Sequence, residues 1–263
     1  MSGATAYTVH GSGRPVVLVA GAGGAGRIWE RHQVPALTAA GHQVITFDHG
    51  APGSCAGDVA ALTRQLLTTL GLPPCPLVGH SVGALAVQEL LVTDPHLACA
   101  AVLAATRGRP DPVGDALARA EAAQTGAGGR PSPEYEAVVG MAQNLSPRTL
   151  ADEDAVTEWL DLFEIAALSG SSAAGRPCPP LADRLAAYAR ITAPVLVVGF
   201  ADDVLAPVHL SREVAAAIPG ARYTELADTG HLGFLERPDA FNTVLLDFLA
   251  ALPVTDPGAS RVL

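Results

Sequence analysis

One serine lies in a setting that could make it reactive. It occupies the centre of the segment Gly79-His80-Ser81-Val82-Gly83, a G-x-S-x-G pattern between a strand-like run, Pro76–His80, and a helical pattern, Gly83–Thr93. A turn this tight strains the serine backbone, and the flanking glycines remove Cβ atoms that would clash. We therefore predict that Ser81 is an exposed nucleophile. The N–H of Val82, at the start of the helix, is the predicted donor to a developing oxyanion.

A base and an acid that could activate this serine follow later in the chain. His231 lies on a short glycine loop, A-D-T-G-H, after the strand-like run Arg222–Leu226. Two adjacent aspartates, Asp202 and Asp203, follow another strand-like run, Val195–Phe200. Serine, acid and histidine in this chain order match one known arrangement of a catalytic triad. The residues alone leave the choice between the two aspartates open.

Alternating strands and helices would position these residues. Short apolar runs separated by helical patterns predict an α/β fold with a mostly parallel central sheet and helices on both faces. Two of those helical patterns are Asp58–Leu70 and Pro238–Leu252. The strand-like runs are Ala6–Val9, Val16–Ala20, Gln43–Phe47, Pro76–His80, Ala100–Ala105, Val195–Phe200 and Arg222–Leu226.

The alternation stops between about Pro110 and Arg190, where only helical patterns occur. They are Gly114–Gln124, Pro133–Asn144, Asp152–Leu168 and Leu181–Arg190. We predict a core formed by residues 1–109 and 191–252 and a helical cap formed by residues 110–190. Residues 253–263 are predicted to be a disordered tail.

Composition excludes several classes of function. The formal net charge of −10 disfavours nucleic acid as a partner. Lysine is absent, which excludes Schiff-base, pyridoxal-phosphate and P-loop lysine chemistry. The eight histidines show no metal-ligand spacing, so we predict no metal. No apolar run is long enough to cross a membrane, and no secretion signal is evident at the N-terminus. With four scattered cysteines, reduced thiols in the cytoplasm are the simplest expectation.

Three motifs together give the chain a family resemblance. They are the G-H-S-V-G segment, the D-x-x-x-P loop before Pro207 and the ending G-H-x-x-x-x-E-R-P that starts at Gly230. In this order they resemble the α/β-hydrolase superfamily over nearly the whole chain. The chain is most similar to its capped branch, which holds haloperoxidase-like esterases, C–C bond hydrolases and biosynthetic hydrolases. This resemblance implies that no cofactor is needed.

The resemblance also bears on a glycine-rich loop that could be mistaken for a nucleotide site. Gly21, Gly23 and Gly26 spell G-x-G-x-x-G after a strand-like run, and Asp48 stands about twenty residues later, as in a dinucleotide-binding unit. Pro35 would interrupt the long helix that such a unit requires. In the family, the loop instead supplies the second oxyanion N–H, which falls here on Ala22. Asp48 then has a structural role.

Comparison with the family pattern also bears on the choice of acid and shows two places where this chain differs from the family. Counting forward from Gly199, the family pattern G-x-x-D selects Asp202, whereas counting back from Pro207 selects Asp203. We favour Asp203 because the proline fixes the backbone just beyond the acid. The family has histidine where Ala20 stands. It also has D-x-R-G where this chain reads D-H-G after Phe47.

These observations predict a serine hydrolase with Ser81, Asp203 and His231 as the triad. Its substrate would be an ester, thioester or lactone of a small to medium organic molecule, in a context such as natural-product metabolism. The alternatives are C–C bond hydrolysis, cyclisation or elimination at the same site, a type II thioesterase, or a non-catalytic small-molecule receptor. Arg107 and Arg109, where the cap leaves the sheet, could bind a substrate carboxylate, although hinge salt bridges are favoured.

Overall fold

The structure is a computed structural model that describes residues 6–49, 54–126, 131–169 and 181–253. The predicted disordered tail therefore lies outside the described residues from position 254 onward.

A seven-stranded sheet forms the centre of the described chain. Its spatial order is β1-β3-β2-β4-β5-β6-β7, with β1 antiparallel to β3 and all other neighbours parallel. This arrangement confirms the predicted α/β class with a mostly parallel sheet. The strands are β1 (Tyr7–His10), β2 (Arg14–Val19), β3 (His42–Phe47), β4 (Cys75–His80), β5 (Ala98–Ala104), β6 (Val195–Phe200) and β7 (Arg222–Leu226).

Helices cover both faces of this sheet and also make up the segment between β5 and β6. Those of the first half are α1 (Gln33–Ala39), α2 (Ala56–Leu70), α3 (Val82–Thr93), α4 (Pro112–Gly126) and α5 (Pro133–Asn144). The others are α6 (Pro147–Leu150), α7 (Glu153–Leu168), α8 (Leu185–Tyr188), α9 (Val208–Ala217), α10 (Gly233–Glu236) and α11 (Pro238–Ala250). Short 3-10 helices span Gly26–Trp29 and Pro95–Leu97.

The alternation of side chains along the strands divides the core into two layers. On β2, Val17 and Val19 face the layer that contains α2 and α3, whereas Val16 and Leu18 face the layer that contains α1 and α11. Every residue of β4 and β6 is buried. A parallel strand covered on both faces must be apolar throughout, which is why these strands read as continuous hydrophobic runs.

The segment between β5 and β6 is helical in its described part, where α4 to α8 lie and no strand occurs. One helix is much shorter than predicted: the pattern Leu181–Arg190 forms a helix only at Leu185–Tyr188. The N–H of Arg184 donates to Gly108 O at 2.7 Å, and the Asp183 carboxylate accepts from the Leu185 N–H at 3.0 Å. These contacts occupy the first N–H groups and prevent an earlier start.

Arginine ion pairs join both ends of this segment to the core. Arg109 pairs with Glu213 of α9 through two hydrogen bonds of 2.6 and 2.7 Å. Arg184 pairs with Glu89 of α3, and Arg107 lies 3.2 Å from Asp111. Paired guanidinium and carboxylate groups fit the hinge interpretation of Arg107 and Arg109 better than a substrate-binding one.

A buried carboxylate ties the helical segment to the loop that carries His231. Glu236 accepts from the Ser146 N–H at 2.8 Å and from the Ser146 hydroxyl at 2.7 Å. Its other oxygen accepts from the Gly230 N–H at 2.6 Å. Because Gly230 precedes His231, this one side chain joins the α5–α6 turn to the histidine loop.

Replacing Glu236 with Gln should therefore destabilise the protein. An amide turns one acceptor oxygen into a donor that faces another donor, and an unsatisfied buried group costs about 1–3 kcal/mol. We expect Glu236→Gln to lower the free energy of unfolding in urea by about 2 kcal/mol or more. Asp247→Asn, at an exposed position of α11, is the control and should change it by less than about 0.5 kcal/mol. Equal effects in the two variants would contradict this account.

Candidate active site

Ser81 lies on a sharp turn between β4 and α3. Its backbone has φ 55° and ψ −120°, in the left-handed half of conformational space, and its N–H donates to Ala104 O at 3.0 Å. A Cβ on Gly83 would come within 2.2 Å of Val19 O, and one on Gly79 within 2.6 Å of Gly83 O. The G-x-S-x-G spacing thus follows from how closely the turn packs against itself and β2.

His231 lies between this serine and an aspartate. Its Nε2 is 2.9 Å from Ser81 Oγ, and its Nδ1 is 2.8 Å from Asp203 Oδ2. An ionised carboxylate only accepts hydrogen bonds, so Nδ1 carries the hydrogen in the neutral ring. Nε2 is then free to accept the hydrogen of the serine hydroxyl. Three side chains distant in sequence form one continuous hydrogen-bonded line.

Asp203 is held as a buried, ionised group. Its Oδ1 accepts from the N–H groups of Leu205 and Ala206, each at 2.8 Å. Burial alone raises the pKa of this carboxyl and is the largest single influence. The attraction of His231, the hydrogen bond to its ring and the two backbone N–H groups together outweigh burial, so the pKa lies below its ordinary value.

The neighbouring aspartate points elsewhere. Asp202 is exposed, and its backbone N–H donates to Thr229 O at 2.8 Å. Of the two candidates left open by the residues alone, the structure brings Asp203 to the histidine and leaves Asp202 at the surface. The turn that orients Asp203 is closed by the hydrogen bonds that the Asp203 carboxylate accepts from Leu205 and Ala206, just before Pro207.

The glycine loop after β2 runs directly beside the serine. A Cβ on Gly21 would lie 3.2 Å from Ser81 Cβ and 2.9 Å from His80 Nδ1. Ala22 is exposed, and its N–H makes no hydrogen bond to the described residues. The Val82 N–H belongs to the first turn of α3, where N–H groups have no partner inside the helix. The N–H groups of Ala22 and Val82, the two predicted oxyanion donors, thus lie on two backbone segments that come together beside Ser81.

The same loop shows why its glycines imitate a nucleotide-binding pattern. Gly26 donates its N–H to Asp48 Oδ1 at 2.8 Å, and a Cβ on Gly26 would come within 2.7 Å of Phe47 N. After the 3-10 turn Gly26–Trp29 a separate helix, α1, begins at Gln33. Asp48, the residue that would bind a ribose in a nucleotide site, instead accepts a hydrogen bond from the chain itself. The helix that would face a pyrophosphate does not continue directly from the glycines.

Two buried histidines that contact the loops of the site were not identified by sequence reasoning. His80 is buried, and its Nε2–H donates to His231 O at 2.8 Å. Burial, followed by repulsion from His231, lowers the pKa of His80 to about 3, so the ring is neutral. His49 is also buried, and its Nε2–H donates to Ala20 O at 2.9 Å. The one sequence signal was the position of His80 inside the G-x-S-x-G motif.

The cysteines differ in part from expectation. Cys75 and Cys99 are free thiols, and burial raises the pKa of Cys75 to about 12. Cys55 is disulfide-bonded, so the expectation of reduced thiols is wrong for this residue. A disulfide-bonded sulfur is not a nucleophilic thiolate, so Cys55 is not a candidate nucleophile.

The described residues hold neither a metal-ligating cluster nor a membrane-spanning helix. Within them, no group of three or more His, Cys, Asp or Glu side chains is arranged to hold a metal ion. None of the helices among residues 6–49, 54–126, 131–169 and 181–253 is both long and apolar enough to cross a membrane.

Known proteins resemble this chain in sequence and in structure. A Mycobacterium tuberculosis protein provisionally named non-heme bromoperoxidase BpoC is 44% identical over 256 residues, which cover 94% of this chain and 98% of that protein. A Klebsiella pneumoniae protein provisionally named carbamate hydrolase RutD is 34% identical over 258 residues, covering 91% and 92%. The crystal structure of BpoC from strain H37Rv has a TM-score of 0.87 and covers 95% of this chain and 97% of its own.

The family assignment follows from these matches and from a family model. The model of the alpha/beta hydrolase family matches residues 16–244, from within β2 to the middle of α11, and this range includes every residue of the site. The chain belongs to the alpha/beta hydrolase family.

Proposed function

We propose that this protein is a serine hydrolase that cleaves an ester, thioester or lactone of a small to medium organic molecule through an acyl-enzyme. The observation that carries the proposal is the line from Ser81 through His231 to Asp203, with distances of 2.9 and 2.8 Å. Relatives named as a carbamate hydrolase and a bromoperoxidase support chemistry on small molecules.

The first half of the reaction forms the acyl-enzyme. Ser81 Oγ attacks the substrate carbonyl carbon while His231 Nε2 takes the hydroxyl proton. The carbonyl oxygen becomes an oxyanion that accepts from the N–H groups of Ala22 and Val82. When the tetrahedral intermediate collapses, the bond to the alcohol or thiol breaks and His231 returns the proton to that leaving group.

The second half restores the enzyme. Water gives a proton to His231 Nε2 and attacks the acyl carbon, and Ser81 leaves with the proton that His231 returns. Throughout, Asp203 keeps hydrogen on Nδ1 and stabilises the imidazolium, a role that its ionised, buried state supports. Every proposed step uses groups of this chain and water.

We further propose that residues 110–190 act as a cap that selects the substrate, over a core of residues 1–109 and 191–252. Two contacts support this role. The Leu232 N–H donates to Asn144 O at 3.0 Å, and Glu236 binds Ser146. The segment after α5 therefore rests on the loop that holds His231, which is where a cap would meet the site.

Labelling tests the nucleophile. An organophosphonate should add once, to Ser81, because its hydroxyl lies 2.9 Å from the His231 base, whose other nitrogen is bound to Asp203. Ser81→Ala should lose both labelling and turnover of chromogenic esters, acyl-thioesters, lactones and carbamates. Ser12→Ala, at an exposed serine of the turn between β1 and β2, is the control and should keep both.

Four results would change the proposal. Labelling at another serine, or full activity of Ser81→Ala, would contradict it. Labelling of Ser81 without hydrolysis of any of these compounds would favour C–C bond cleavage, cyclisation or elimination at the same triad. Inertness to every serine-directed reagent would favour a receptor.

A matched pair of substitutions tests the acid. Asp203→Asn should lower kcat by about 10⁴-fold, because the amide no longer fixes the histidine tautomer, as in the serine-protease precedent. Asp202→Asn removes an adjacent charge at the surface and should change kcat by less than about threefold. Both are compared at neutral pH after circular dichroism shows that each variant is folded. A crippled Asp202→Asn beside an active Asp203→Asn would reverse the assignment.

A further inference from the structure

We infer that His49 is a positioning residue that fixes the loop from Ala20 to Gly24 and thereby aims the Ala22 N–H at the reacting oxygen. The inference rests on the proposed function, because it concerns one of the oxyanion donors. His49 is a buried polar residue that does not belong to the triad. His49 is 2% exposed, and its Nδ1 has no partner among the described residues.

His49 binds both ends of the loop. Its side-chain Nε2 lies 2.9 Å from Ala20 O, and its backbone N–H donates to Gly24 O at 3.0 Å. A carbonyl can only accept, so Nε2 carries the hydrogen and the neutral ring is fixed in one tautomer. Burial lowers the pKa of His49, which keeps the ring in this neutral form. One residue thus holds the carbonyl before Gly21 and the carbonyl after Gly23.

The loop needs such a restraint because little else in it resists motion. It contains three glycines, and Gly23 and Gly24 have φ of 87° and 63°. Glycine gains more backbone freedom on loosening than any other residue, so this stretch would sample many conformations without bonds to its ends. Within the loop, only the Gly24 N–H to Gly21 O bond of 3.1 Å closes a turn. Ala22, between them, has no side chain long enough to anchor itself.

The adjacent residue extends the same restraint. Asp48 Oδ1 accepts from the Gly26 N–H at 2.8 Å, two residues beyond the loop, so two consecutive residues after β3 hold the segment from Ala20 to Gly26 at three points. Gly21 itself packs against His80 and Ser81. A shift of the Ala20 carbonyl would therefore move the backbone that lies beside the nucleophile. Since an oxyanion donor acts only when it is aimed at the oxyanion position, such a shift weakens transition-state binding more than substrate binding.

Two substitutions separate the hydrogen bond from the packing. His49→Leu keeps an apolar side chain of similar bulk without a donor, whereas His49→Gln supplies an N–H group at nearly the reach of Nε2. We expect His49→Leu to lower kcat about tenfold or more, with KM changed by less than about threefold, and His49→Gln to recover most of the loss. The rate of Ser81 phosphonylation should follow kcat. His42→Leu, at the opposite end of β3, is the control and should keep the wild-type kcat.

Hydrogen exchange of segment 20–26, followed by mass spectrometry, supplies a readout that does not depend on turnover. Exchange should accelerate in His49→Leu and return towards wild type in His49→Gln. The inference would be overturned if His49→Leu kept the wild-type kcat and the wild-type exchange rate. It would also be overturned if His49→Leu and His49→Gln lost kcat to the same extent. If the wild-type protein is not labelled at Ser81, the proposed function fails, and the exchange result alone then decides whether His49 restrains the loop.

Discussion

The close packing of the turn at Ser81 is the constraint on which the rest of the site depends. A residue with a side chain at φ 55° costs about 1–3 kcal/mol and persists only where its surroundings enforce it. Here the enforcing contacts are close: a Cβ on Gly83 would meet the carbonyl oxygens of Val19 and Ala20, and one on Gly21 would meet the side chains of His80 and Ser81. The fully buried strand β4 before the turn and the largely buried helix α3 after it hold the turn from both sides.

The parallel sheet brings the other groups to this turn. Ala22, Ser81, Asp203 and His231 each follow a strand whose carboxyl end lies at the same edge of the sheet. In an open parallel sheet, that edge is where ligands bind. Each loop is then fixed by local bonds: Asp203 by two N–H groups, and His231 by the Gly230 bond to Glu236 and the His80 bond to its carbonyl. The sheet provides proximity, and these bonds provide orientation.

Much of the fold could be predicted because strands buried on both faces must be apolar and turns this tight require glycine. The run at Val195–Phe200 coincides with β6, in which every residue is buried. Pro207 also selected the aspartate that reaches His231. The short helix α8 could not be predicted, because Gly108 takes the N–H that would extend it. The contacts of His49 and His80 could not be predicted from the sequence either, since each joins segments that only the fold brings together.

The central claim is that Ser81 carries the acyl group during turnover, and trapping that intermediate tests it most directly. A nitrophenyl ester is mixed with the enzyme and quenched in acid before one turnover is complete, and the protein is analysed by intact and peptide mass spectrometry. The account predicts a stoichiometric burst of nitrophenol and one acyl group, on the peptide that contains Ser81. Turnover without a burst or an adduct at Ser81, together with full turnover in Ser81→Ala, would instead indicate direct attack by water, and would contradict it.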